Sequence, residues 1–459
     1  MELSGIWPMV LPFFAGFLIS SNLPASTRTG SLMKALTALP FGFAIVSLLS
    51  FLTLIISSKL TYSYAFDGAL SLAAAIYLSK RKSSLSGHSI SENNSIYYLI
   101  PMFIVLSLVT VIFIQNLRLN PHGGWDAWSI WNLRAKFLFK NEAFWKDAFS
   151  SHILWSHPDY PLLLPLTVSR WWKYTDGHSV TVAQTTAFIF TFSTLILLFN
   201  SISYFKGTIQ GGASVLVMAM AFTYLKSGTM QYADIPIGFF FLAASVFIVI
   251  KDTSINENKK KFLVLCGLSL GFAAWTKNEG LLFIACFLLA RFVTMSLAGK
   301  LREFLRELPF IFAAMAPVIV FLIMFKLKIA PPNDIISSVG SETYGKIIDI
   351  GRYKTIFKSF LSMCIPYGET NFGFSFLAAI MFLVISGVTP VRKYYIPSVF
   401  LLLTVVFILT GYFFVFVVTP HDLNWQLGTA LERLFCQVLP LAVFTVFLLS
   451  ASVAERKIY

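Results

Sequence analysis

The sequence predicts an all-α polytopic membrane protein of about 13 transmembrane helices, with amphipathic surface helices in a large first extracytoplasmic loop. Three observations carry this. Of 459 residues, 57% are hydrophobic and only 12% charged, where a soluble domain carries roughly 25% charged residues. Apolar runs long enough, or nearly so, to cross a bilayer recur along the chain. Lysine and arginine alternate between the connecting loops as the positive-inside rule requires.

The apolar runs fall near 5–22, 35–57, 62–79, 97–117, 179–200, 209–226, 233–250, 262–276, 279–297, 308–327, 372–388, 394–418 and 435–452. If the loop bearing Lys80, Arg81 and Lys82 is cytoplasmic, alternation places further basic residues on that side. These are Arg28 and Lys34, Lys206, Lys251 with Lys259 to Lys261, Lys300 with Arg302 and Arg306, Arg392 with Lys393, and Arg456 with Lys457. The opposite short loops hold only Lys59, Lys226, Lys277 and Arg433. An extra or missing span would scramble this asymmetry. The polar stretch Ser83–Asn94 reads as a cytoplasmic linker.

The net charge of +14 does not indicate nucleic acid, because the basic residues form no single stripe. Of Cys266, Cys286, Cys364 and Cys436, three fall in apolar runs and none in metal spacing, so they read as small buried hydrophobes. Only Glu2 precedes the first apolar run, which is expected to stay as a span rather than be cleaved. The 17 Tyr and 10 Trp suit interfacial belts.

Two long non-apolar regions, 118–178 and 328–371, both land outside and are rich in Trp, Tyr, Phe and Pro. Loops of that length are usually functional or disordered, and this composition argues for order. From Ala127 to Lys140, the residues Trp128, Trp131, Ala135 and Leu138 share one helical face, with Asn132, Arg134, Lys136 and Lys140 elsewhere. That pattern predicts an amphipathic helix along the membrane surface.

Five polar constellations fall on the outer face. Gly123-Gly124-Trp125-Asp126-Ala127-Trp128 offers a tight turn and an acid between two indoles. Asp126 reads as a general base or as the N-cap of the following helix. His157-Pro158-Asp159-Tyr160-Pro161 is a proline-fixed segment, either presenting Asp159 and Tyr160 or merely bracing a turn. In Tyr232-Ala233-Asp234-Ile235-Pro236, Asp234 opens an apolar helix as a site acid or a cap. In Thr276-Lys277-Asn278-Glu279-Gly280, two charges lie close to hydrocarbon, which is costly unless they are paired or functional. Lys277 and Glu279 form a local pair, or Lys277 joins a helix N-terminus as an anion site. His421-Asp422-Leu423-Asn424-Trp425 precedes Glu432-Arg433. Arg433 suits a phosphate contact, a local pair with Glu432 or a snorkelling anchor. Arg352, with Tyr353 and Lys354, is a further candidate phosphate contact. Each motif alone has a structural explanation. Their coincidence on the low-charge face points to an enzyme acting on a lipid-linked anionic substrate.

These residues together resemble the GT-C superfamily of membrane glycosyltransferases, which includes protein O-mannosyltransferases and the aminoarabinose transferase of lipid A. Its members carry an acid in the first large outer loop, the position of Asp126. Asp159-Tyr160-Pro161-Leu162 is similar to a segment of relatives that ends in Pro-Pro-Leu, with Tyr160 where the aminoarabinose transferase has Lys. Asp234 matches a later acid, and Thr276-Lys277 with Gly280 is similar to a Thr-Lys-Gly segment. Thr419 through Arg433 looks like a stretch of bacterial members.

The resemblance covers roughly 97–450. It implies additional N-terminal helices and linker over 1–96, a catalytic membrane core over 97–327, an outer substrate loop over 328–371 and C-terminal helices over 372–459. It further implies an inverting transfer of a sugar from a polyprenyl-phosphate donor to a lipid, glycan or protein hydroxyl outside the bacterial inner membrane. Asp126 is then the base, and Lys277, Arg433 and Arg352 hold the donor phosphate. His157, Asp159, Tyr160, Asp234, Glu279, Trp125, His421 and Asp422 bind substrate or complete the acid cluster. Some relatives use a divalent metal, for which Asp126, Asp159 and Asp234 are the candidate ligands. A lipid-linked glycan polymerase or ligase is the neighbouring alternative. A transporter or flippase would need charges near the bilayer midplane, whereas almost all charges here fall at predicted membrane edges, with Asp67 and Arg291 as the main exceptions.

Overall fold

A computed structural model describes residues 7–23, 34–80, 100–140, 144–254, 259–333, 340–365, 372–452 and 455. The linker Ser83–Asn94 and the charges Arg28, Arg81, Lys82, Arg456 and Lys457 lie outside the described residues. Within them the chain is helical, and only an isolated bridge between Val388 and Ser450 has β geometry.

The chain opens with α1 (Val10–Ser20), α2 (Ala38–Ser57) and α3 (Ser63–Lys80), followed by α4 (Ile100–Leu119). A π-helical turn (Ala127–Trp131) leads into α5 (Asn132–Lys140), and two short 3-10 segments separate it from α6 (Leu163–Thr175). Next come α7 (Val180–Lys206), α8 (Thr208–Met220), α9 (Phe222–Thr229), α10 (Asp234–Thr253), α11 (Lys259–Thr276), α12 (Glu279–Leu297) and α13 (Leu301–Lys328). The outer-loop helices α14 (Ser341–Ile348) and α15 (Ile350–Cys364) precede α16 (Phe372–Ser386), α17 (Tyr395–Val418) and α18 (Leu423–Leu449).

Among the described residues all 13 apolar runs contain helix, but they are not equal. Among the described residues, eight helices are long and apolar enough to cross a membrane: α2, α4, α7, α10, α12, α13, α17 and α18. The count rises to nine if α8 and α9, bent 72° at their break, form one span. α1 and α16 are shorter. α11 starts with Lys259, Lys260 and Lys261, and α3 carries Asp67 and several hydroxyls, which dilutes both. The protein is therefore an integral membrane protein of eight or nine such helices, with four weaker helical runs around them.

α10 is buried along its whole apolar stretch and contacts α7, α11, α17 and α18. Apolar residues on every side of a helix are what a central position demands. Phe239, Phe240, Phe241 and Phe247 fill that centre at 0% exposure. α2 shares this core: Phe41 packs edge-on against Phe239, and the indole of Trp275 donates to Ser47 Oγ at 2.9 Å. The first helices are thus joined to the core by direct packing. Cys266, Cys286 and Cys436 are buried and free, as expected of small apolar side chains, while Cys364 is exposed.

Charged residues gather at the two ends of the bundle. At one end Arg291 binds both oxygens of Asp252 (2.6 and 2.8 Å) and reaches Glu307 (2.8 Å), and Lys251 joins Glu303 and Glu307. There Lys206 also pairs with Glu455 at 3.1 Å, and Thr389 donates to the same carboxylate. The other end, where α10, α12 and α18 begin, holds the candidate site.

The expected surface helix forms with a changed face. Trp131, Ala135 and Leu138 are buried, but Trp128 is 50% exposed and Arg134 only 1%. The cause is the π-helical turn from Ala127 to Trp131. Its wider turn advances each residue by less than 100°, so positions on either side lose the α-helical register. Arg134 swings inward and donates to the carbonyls of Tyr160 (2.8 Å), Ser156 (2.9 Å) and His157 (2.6 Å). Burial lowers its pKa to about 10, against the raising influence of Asp159 and Tyr160. The guanidinium stays charged at neutral pH and pins the proline-rich segment.

Candidate functional site

Two docked turns build the site. After α4 the chain reverses through Gly123, whose φ of +73° suits glycine. Gly124 N–H donates to the Met230 carbonyl at 3.0 Å. A Cβ on Gly124 would lie 2.4 Å from the Tyr232 hydroxyl, so only glycine admits this approach. Gln231 (φ +59°) completes the joint, donating to the Pro121 carbonyl and accepting from Asn132. The two turns set Asp126 beside Asp234.

Arg433, on the third turn of α18, bridges them. Its Nη2 donates to Asp126 Oδ2 and its Nε to Asp234 Oδ2 at 3.1 Å. Its guanidinium also lies 4.7 Å from the Tyr232 ring centroid. Lys277, in the break between α11 and α12, binds Asp234 Oδ1 at 2.9 Å and Glu279 Oε1 at 2.7 Å. Gln437 donates to the same Asp234 oxygen at 2.6 Å. Asp234 is 0% exposed, at the tip of the central helix.

Asp159 stands beside this network in a cluster of its own. Its Oδ2 accepts from Asn278 (2.7 Å) and Asn333 (2.8 Å), and Lys326 stands 3.5 Å away. Lys326 also donates to Asn278 Oδ1 at 2.8 Å. Tyr160 is stacked between Trp131 (5.6 Å) and His157 (5.0 Å), and Lys277 lies over its ring at 5.8 Å. The ammonium near Asp159 is that of Lys326.

Several structural alternatives fail. Asp126 stands at a helix start yet makes no capping hydrogen bond, and its carboxylate faces Arg433. Asp234 also leaves the backbone uncapped and serves Lys277, Arg433 and Gln437. Arg433 reaches across to Asp126 and Asp234, where a local pair with Glu432 was the alternative. The local Lys277–Glu279 pair does form, as one part of the larger network. Asp159 and Tyr160 turn inward to the network and are not presented at an exposed apex.

Other candidates fall elsewhere. Arg352 donates to the carbonyls of Val417 (3.1 Å) and Phe416 (3.0 Å) at the end of α17, which engages its fork away from the network. Helix C-termini leave such carbonyls unpaired, and an arginine satisfies them well. Asp422 is the N-cap of α18, accepting from Trp425 N–H at 2.8 Å, and His421 packs edge-on against Trp425. Trp125 is 47% exposed and forms a surface cluster with Trp128 and Trp155 at the rim. His157 contributes its carbonyl to Arg134 and its ring to Tyr160.

The three carboxylates named as metal candidates do not converge. Arg433 stands between Asp126 and Asp234, and Asp159 is held by amides and Lys326. Among the described residues, the acids close enough to share an ion are Asp252, Glu303 and Glu307 at the opposite end, where Lys251 and Arg291 already neutralise them. Asp67 and Arg291 are both paired: Asp67 with Arg170 and Tyr174, Arg291 with Asp252 and Glu307.

Sequence reasoning missed Lys326, Asn278 as a side-chain partner, Asn333, Gln437 and Arg134. Gln437 carried a usable signal, because an amide inside an apolar span needs a partner. Lys326 carried one too, as a charge at the end of the apolar run 308–327, whereas Asn278, Asn333 and Arg134 sit in polar segments where nothing distinguishes them.

The electrostatics fix protonation states outside the spans. Burial lowers the Lys277 pKa, but Asp234 and Glu279 more than offset it, and the group stands above its ordinary value. Burial, then Glu279 and Asp159, push the Tyr160 phenol well up, so it stays neutral. Two carboxylate oxygens are left over. Glu279 Oε2 is buried without a partner, and among the described residues no hydrogen bond reaches Asp126 Oδ1. Comparison with protein-family models, with curated proteins and with solved structures finds no match.

Proposed function

We propose that the chain is an inverting glycosyltransferase of the bacterial inner membrane. It uses a polyprenyl-phosphate sugar and works on the periplasmic side. The observation that carries the reading is the meeting of Asp126, Asp234, Lys277, Glu279 and Arg433 in one ion-pair network, with Asp159 beside it on Asn278, the residue between Lys277 and Glu279. They come from five separate parts of the chain, all at one end of a membrane bundle. Structural ion pairs alone would not require an acid with an oxygen left open at an aromatic rim.

In this reading the donor tail lies between helices and its phosphate meets Lys277 and Arg433. Asp126 Oδ1 takes the proton of an acceptor hydroxyl. The hydroxyl oxygen attacks the anomeric carbon, the bond from that carbon to the phosphate oxygen breaks, and the phosphate leaves with the electron pair. Configuration inverts. Charge grows on the leaving phosphate, where preorganised cations stabilise the transition state more than the ground state. A polymerase or ligase would use the same groups with a glycan acceptor. A transporter has less support, because Asp67 and Arg291 are each locked in buried pairs.

The test is release of polyprenyl phosphate from a panel of polyprenyl-phosphate sugars by purified wild type and Asp126→Asn. A general base contributes roughly 10²- to 10⁴-fold, and a loss of that size is expected. Equal release by both proteins removes Asp126 from its role. No release from any donor sinks the enzyme reading.

A further inference from the structure

A concavity lies beside the network, on another face of the helix that starts at Asp126. It has a volume of about 260 Å³ and is lined by His122, Trp128, Asn132, Lys136, Trp172 and His178, with no carboxylate among the lining residues. Trp128, Asn132 and Lys136 are spaced by four and project into it together. The first residue of α7, Val180, closes one side, so the positive end of a 27-residue helix also faces the space. Among the described residues, the Lys136 ammonium has no ion pair, and neither His122 nor His178 has a hydrogen-bond partner. By contrast, Lys277 and Arg433 in the network are each bound to two carboxylates.

We infer that this pocket is a subsite for one anionic sugar ring, a saccharide carrying a carboxylate or a phosphate. The cation, the two imidazoles and the helix end draw the anionic group. The half-exposed Trp128 indole offers a flat face for the ring, backed by Trp125 at 6.0 Å. Asn132 supplies an amide for a hydroxyl. The volume is at the small end of ligand sites and suits a single residue of a glycan. Naming this residue as the acceptor rests on the glycosyltransferase reading, but its binding does not.

The test is equilibrium binding to the full-length protein in detergent, without donor. Four probes are compared: methyl β-glucuronide, glucose 6-phosphate, methyl β-glucoside and inorganic phosphate. At least one anionic sugar should bind on the order of tenfold more tightly than the neutral glucoside and than phosphate, and which one does identifies the anionic group. Lys136→Gln should remove most of that advantage and leave the glucoside unchanged. Trp128→Ala should weaken every sugar and spare phosphate. Both side chains are exposed, so the variants should melt as wild type does. Equal binding of phosphate and the anionic sugars, or unchanged affinity in Lys136→Gln, overturns the inference. Failure of glycosyl transfer leaves these affinities untouched.

Discussion

Neutralising Asp234 is the most direct probe of the network. Its carboxylate is 0% exposed and accepts from Gln437 (2.6 Å), Lys277 (2.9 Å) and Arg433 (3.1 Å). In Asp234→Asn the two cations keep one carboxylate each, Glu279 and Asp126. Removing one partner of a buried pair costs roughly 3–5 kcal/mol, because a charge is left under-compensated. The amide oxygen still accepts one hydrogen bond, which favours the lower end, about 3 kcal/mol. In a chain this large, each kcal/mol moves the melting point by no more than about 2 °C, so a drop of roughly 5 °C is expected. A thiol-reactive dye reads this directly, since Cys266, Cys286 and Cys436 are buried until the bundle opens. Asp422→Ala, which removes only the cap of α18, is the reference at about 1 kcal/mol. Melting of Asp234→Asn at or above the Asp422→Ala value would refute the argument.

Arg352→Gln should cost about 1–2 kcal/mol, by loss of two carbonyl contacts, with sugar transfer unchanged. A tenfold fall in turnover would return Arg352 to the phosphate site. Gly124→Ala should cut transfer by at least about tenfold, since the new Cβ drives Tyr232 from the Arg433 guanidinium while leaving helix content by circular dichroism intact. Normal turnover would show that the docked turns do not position Asp126. For Lys277, the folded pKa is raised, so its stabilisation is complete below the unfolded value of about 10.4 and is lost as pH rises through the folded one. The melting difference between wild type and Lys277→Met should stay flat from about pH 6 to pH 9 and shrink only in stronger alkali. A difference that varies within that window contradicts the assigned partners.

The parts of this site visible in the sequence share one property: a charge at the edge of an apolar run. Asp126, Asp234, Lys277 and Arg433 stand out because hydrocarbon makes an unpaired charge expensive, so its presence demands a partner. Helix alternation then puts all four at the same end, which the ion pairs among them require. What the sequence did not reveal depends on properties without a linear signature. A π-helical turn cannot be read from Ala-Trp-Ser-Ile-Trp, yet it exchanges the places of Trp128 and Arg134. Asn278, Asn333 and Lys326 become partners of Asp159 only through the packing of α12 and α13. Arg352 resembled a phosphate contact because a free cation in an outer loop looks the same whether it meets a ligand or a helix end. The 13 apolar runs are all helices, but length and charge separate eight or nine clear spans from the rest.

Charge balance explains why the open oxygen of Asp126 matters more than the number of acids. Asp126, Asp159, Asp234 and Glu279 are faced by Lys277, Lys326, Arg433 and Arg134, so the formal charges cancel. A cluster in balance stabilises no incoming anion by net charge, and the separation of its charges must do so. Arg433 and Lys277 share Asp234, the most buried acid, while Asp126 is tethered through one oxygen and Arg433 keeps a partly exposed side chain. In the proposed reaction, a donor phosphate approaching from the rim would meet Arg433 first, on the side where its hold is on Asp126. Contact there draws the guanidinium toward the phosphate and weakens its grip on Asp126. An aspartate released from its cation becomes a stronger base. In the proposed reaction, donor binding and activation of the acceptor would thus be coupled through Arg433, with Asp234 anchoring its Nε.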